Sequence, residues 1–72
     1  MSATLIAHCP DIECEGCANA IRRSLGKLPG IENVGVEVER KNVTVQYDDA
    51  QVSESSVKQQ LDKAGFPVEA AL

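Results

Sequence analysis

The chain has 72 residues, a formal net charge of -4, and 43% apolar residues, among which Tyr47 and Phe66 are the aromatics. A length like this makes one domain, residues 1–72, that buries about 60% of the surface its unfolded chain would expose, so its core is a thin aliphatic layer. The acidic balance argues against nucleic acid as a partner, because phosphate binding wants a basic surface, and it leaves ions and other proteins.

Residues 1–6 have no basic n-region, and their apolar run is far too short for a signal peptide or a membrane span. No membrane contact and a cytoplasmic location are therefore expected. Thr4 to Cys9 reads as a strand with Leu5, Ala7 and Cys9 on one face and Thr4, Ile6 and His8 on the other, ended by Pro10. From Cys17 to Leu28, Ala18, Ile21, Leu25 and Leu28 form one apolar helical stripe, and Pro29-Gly30 stops it. Val34, Val36 and Val38 alternate, then a polar Glu39-Arg40-Lys41-Asn42 turn leads to Val43, Val45 and Tyr47, which predicts an antiparallel hairpin. Ser53 is the expected N-cap of a second helix carrying Val57, Leu61 and Ala64; Gly65 closes it, and Phe66-Pro67-Val68 begins a short last strand.

The order βαββαβ is the split βαβ, or ferredoxin-like, arrangement: an α+β fold with a four-stranded antiparallel sheet and both helices on one face. This topology brings the first strand-to-helix loop and the Gly65-Phe66 connection to the same end of the sheet. Phe66 is then expected as a lid beside whatever that loop binds.

That loop carries Cys14-Glu15-Gly16-Cys17. Two sulfurs at this spacing can converge on one ion, and a helix N-terminus beside them favours thiolate, the form that binds metal. Glu13 and Glu15 oppose this, since nearby negative charge disfavours more of it. A Cys-x-x-Cys taken alone also fits a dithiol redox site, which makes a thiol oxidoreductase the rival from another class, although the chain is too short for a thioredoxin-like fold. Three cysteines cannot pair completely, so reduced thiols are expected. Cys9 reads as a small apolar core residue, with a third sulfur ligand as the alternative. Arg22, Arg23 and Lys27 give the first helix a basic strip, which either keeps the helix solvated or steers an acidic partner.

Several landmarks at matching separations extend the motif: Leu28-Pro29-Gly30-Ile31, the valine hairpin ending in Tyr47-Asp48, and Ala64-Gly65-Phe66. With them the chain resembles the heavy-metal-associated domain of copper chaperones and of the N-terminal regions of metal-transporting P-type ATPases. The family pattern is Gly-Met-x-Cys-x-x-Cys; here Asp11 and Ile12 replace Gly and Met, and Ile12 takes over the packing role of the Met. The resemblance implies a metal carrier rather than an enzyme, with Cys14 and Cys17 holding a soft ion, Cu(I) before Zn(II), Cd(II) or Hg(II). Glu13 stands where zinc- and cadmium-transporting relatives carry an acidic ligand, which gives the alternative of a zinc or cadmium domain. The implied partner is a P-type ATPase or a metallochaperone with its own Cys-x-x-Cys, and the implied state is a monomer or a weak metal-bridged dimer.

Overall fold

The computed structural model describes residues 2–71. The elements run β1 (Ser2–His8), α1 (Glu15–Leu25), β2 (Ile31–Glu37), β3 (Asn42–Asp48), α2 (Glu54–Lys63) and β4 (Ala70–Ala71). Their sheet has the spatial order β2-β3-β1-β4, and every neighbouring pair is antiparallel. This is the ferredoxin-like α+β fold expected from the element order.

The alternation read from the sequence decides which face of the sheet is covered. Leu5 and Ala7 of β1 and Val43, Val45 and Tyr47 of β3 are buried, and they share one cluster with Ile21 and Leu25 of α1 and Val57 and Leu61 of α2. Both helices therefore lie on the same face. They also bond to each other, because the Gln60 side-chain amide donates to the backbone carbonyl and the hydroxyl of Ser24, each at 3.1 Å. Ser53 caps α2 as expected, its hydroxyl accepting the Ser56 N–H at 3.2 Å.

Several boundaries differ from the sequence reading, β1 running Ser2–His8 rather than Thr4–Cys9 among them. Helix α1 starts at Glu15 rather than Cys17, because Cys14 takes the extended N-cap position; it ends at Leu25, and Lys27 and Leu28 form a tighter turn onto Ser24 and Leu25. Val38 lies outside β2, although it still packs against the core half-buried. The last strand begins at Ala70 rather than near Phe66. The reason lies in the end of α2. Gly65, at φ +93, donates its N–H to Asp62, and Phe66 donates to the Leu61 carbonyl at 2.9 Å. That pair of bonds, with Leu61 and Phe66 both in the core cluster, is a Schellman closure, and it commits Phe66 to the helix terminus instead of the sheet. Pro67 has no N–H to offer a neighbouring strand, and Glu69 is the residue whose N–H reaches the His8 carbonyl, at 2.8 Å.

Candidate metal site

The segment between β1 and α1 is held from below before it reaches the first exposed cysteine. Cys9 donates its N–H to the Lys41 carbonyl at 2.8 Å, continuing the β1–β3 side of the sheet by one bond. Ile12 donates to the Cys9 carbonyl at 3.2 Å, and its side chain is fully buried in the core cluster. The Lys41 ammonium donates to the Pro10 carbonyl at 3.1 Å. Lys41 had no role in the sequence reading, since a tertiary bond from a hairpin turn leaves no local signal.

Beyond Ile12 the chain turns outward. Cys14 sits at the N-cap with φ -157 and ψ 176, and its carbonyl accepts the N–H groups of Cys17 at 3.1 Å and Ala18 at 3.2 Å, the first bonds of α1. Its side chain is exposed, while Cys17, inside the first turn, is half-buried and leans on the core. The two Sγ atoms lie 3.7 Å apart. Gly16 is part of the helix; a Cβ there would sit 3.6 Å from the Cys14 Sγ, in ordinary contact with it.

The electrostatic contest at Cys14 goes toward the thiolate. Its pKa is lowered, first by the backbone N–H of Cys17, then by the Cys17 thiol and by the Gly16 N–H, against slight desolvation and the charge of Glu13. Neither N–H makes a full capping hydrogen bond to the sulfur, so they act as aimed dipoles at the positive end of the helix. Cys9 behaves in the opposite way. It is fully buried, and burial, with a smaller push from Asp11, raises its thiol pKa.

The structure thus brings Cys14 and Cys17 together and leaves the other candidates apart. Glu13 and Arg22, Arg23 and Lys27 are exposed. His8 Nδ1 is engaged by the Asn42 side-chain oxygen at 3.0 Å. Among the described residues, no group of three or more His, Cys, Asp or Glu side chains converges as a metal cage. Phe66 is 8% exposed and belongs to the core cluster against which Cys17 also packs.

Sulfurs 3.7 Å apart would hold an ion at thiolate bond lengths of about 2.3 Å with an S–metal–S angle of roughly 107°. Linear coordination would need a separation of about 4.6 Å, an opening of roughly 0.9 Å. A disulfide would need closure to about 2.05 Å. The exposed Cys14 has the freedom for either movement. Among the described residues no helix is long and apolar enough to cross a membrane.

The heavy-metal-associated domain family matches residues 8–67. The copper chaperone CopZ of Staphylococcus epidermidis is 32% identical over 57 residues, which cover 79% of this chain and 84% of CopZ. The heavy metal-associated isoprenylated plant protein 31 of Arabidopsis thaliana is 48% identical over 44 residues, 61% of this chain, and the match spans 31% of that longer protein. Among solved structures, the N-terminal domain of a potential copper-translocating P-type ATPase from Bacillus subtilis, in its Cu(I)-loaded state, superposes with a TM-score of 0.87, with 28% identity over all of this chain and 92% of that one. A family match across most of the chain, carried on the same fold and on a converging cysteine pair, places this protein in the heavy-metal-associated domain family.

Proposed function

We propose that the whole chain, residues 1–72, acts as one heavy-metal-associated domain that carries Cu(I) on the thiolates of Cys14 and Cys17 and passes it on by ligand exchange. The observation that carries this reading is the sulfur pair 3.7 Å apart, Cys14 exposed and Cys17 half-buried, with no third donor drawn in among the described residues. Soft thiolates select Cu(I), and a site with few ligands leaves room for another. An incoming thiolate forms a third S–Cu bond, one of the original S–Cu bonds then breaks, and the ion stays Cu(I) throughout. No bond within a substrate changes, so the protein is a carrier and not an enzyme. A P-type ATPase or metallochaperone with its own Cys-x-x-Cys is the partner this chemistry requires, met in the cytoplasm. Similarity to CopZ and to a Cu(I)-loaded ATPase domain supports the choice of metal.

The test is Cys14→Ser with Cys17→Ser, assayed for Cu(I) against a competing chelator under anaerobic, reducing conditions. Loss of binding is expected; retention refutes the assignment. The resting angle of roughly 107° favours a second reading, Zn(II) or Cd(II) completed by Glu13, which stands beside Cys14 in sequence. Zn(II) affinity that Glu13→Gln leaves unchanged removes that reading.

A further inference from the structure

Lys41 has a φ of 58°, the one non-glycine residue among those described to enter the left-handed region. Glycine or asparagine would adopt that conformation with less strain. A strained residue kept at a turn calls for a reason in its side chain. The side chain supplies one, because its Nζ donates to the Pro10 carbonyl at 3.1 Å in a half-buried setting. The backbone of the same residue works in concert: its carbonyl accepts the Cys9 N–H at 2.8 Å, and its N–H returns to Val38 at 3.2 Å. One residue of the β2–β3 turn therefore clasps two consecutive residues at the root of the segment that ends in Cys14.

The second hold on that segment is Ile12, buried and bonded to Cys9. Between and after these anchors lie Asp11, Glu13 and Glu15, three exposed acids beside a pair of thiols. A cation pinned at the root of such a loop opposes their mutual repulsion as well as fixing the backbone.

We propose that Lys41 is a positioning residue for the Cys14–Cys17 pair, its ammonium on the Pro10 carbonyl setting the fixed point from which Cys14 swings. This rests on reading the pair as the metal site. Lys41→Gly and Lys41→Arg test it. Glycine removes the amine and also relieves the backbone, so a purely structural role predicts a domain at least as stable with an unaltered site. Positioning predicts a urea midpoint held or raised, Cu(I) affinity weakened about three- to ten-fold, the scale of one ordinary hydrogen bond's net contribution, and amide exchange at Ile12 accelerated in the metal-free protein. Arginine should restore both. Cu(I) affinity and Ile12 exchange unchanged in Lys41→Gly overturn the proposal, as does a loss of both that merely follows a collapsed urea midpoint. If the unsubstituted protein fails to bind Cu(I), the metal reading falls instead, and Ile12 exchange in the metal-free protein still decides the clasp.

Discussion

Ile12 is the residue on which the loop and the core depend together, and its truncation is the sharpest test of how the site is built. Its side chain is fully buried, among the largest in the core, yet it belongs to no helix or strand. Removing buried methylenes by an Ile→Ala change costs about 2–5 kcal/mol, least where the surroundings can collapse. A loop can follow its side chain inward, so the lower half of that range, about 2–3 kcal/mol, is expected for Ile12→Ala. At about 0.05–0.15 kcal/mol per residue the whole domain holds roughly 4–11 kcal/mol, so the loss is a large share of it. With a urea slope near 1 kcal/mol/M for so small a domain, the midpoint should fall by about 2–3 M. Ile12→Met conserves volume and should cost less than about 1.5 kcal/mol. Equilibrium urea denaturation of the reduced, metal-free protein measures both. Ile12→Ala within about 1 kcal/mol of the unsubstituted protein would refute the anchoring role, because that is below the usual cost of about 2–5 kcal/mol for truncating a buried isoleucine.

Two further expectations concern the groups around the site and the helix opposite it. Burial raises the Cys9 pKa, so folding favours its protonated thiol; that contribution is whole below the unfolded thiol's ordinary value and is lost as pH climbs through and past it. Urea midpoints from pH 7 to 10 should therefore drop more steeply for the unsubstituted chain than for Cys9→Ala, and parallel profiles would contradict it. Ser53→Ala removes the hydroxyl that accepts the Ser56 N–H and should cost about 1 kcal/mol of stability with Cu(I) affinity unmoved, read by thermal melting and chelator competition.

What could be read in advance was whatever repeats or punctuates locally. The alternation of Leu5 and Ala7, the Val43-Val45-Tyr47 run, the stripes Ile21-Leu25 and Val57-Leu61, and the Ser53 cap each fix a face or an end through near neighbours, and the structure keeps them. The start of α1 escaped because cysteine is not among the residues that favour an N-cap, so nothing in the composition marks Cys14 as the boundary. The late onset of β4 escaped because Gly65-Phe66 can lead into a strand or close a helix, and burial of Phe66 against Leu61 decides for closure. Lys41 escaped for a different reason: its bond to Pro10 joins residues 31 apart, and only the pairing of β1 with β3 brings them together.

These late-emerging features explain an asymmetry in the sulfur pair. Cys17 lies in the first turn of α1, a helix whose Ala18, Ile21 and Leu25 are buried, and its half-buried side chain packs against the core, so its sulfur has less room to move. Cys14 is exposed at the extended N-cap, with a short tether back to Ile12 and Pro10. The opening from 3.7 Å to the roughly 4.6 Å of a linear S–metal–S unit then comes most readily from the exposed Cys14, by rotation about its own side-chain bond. Anchors on the tether limit how far its backbone can drift while leaving that rotation free. A site meant to grip an ion permanently would gain from fixing both sulfurs; one meant to surrender it gains from fixing one, because the mobile thiolate can leave the metal as a competing thiolate arrives.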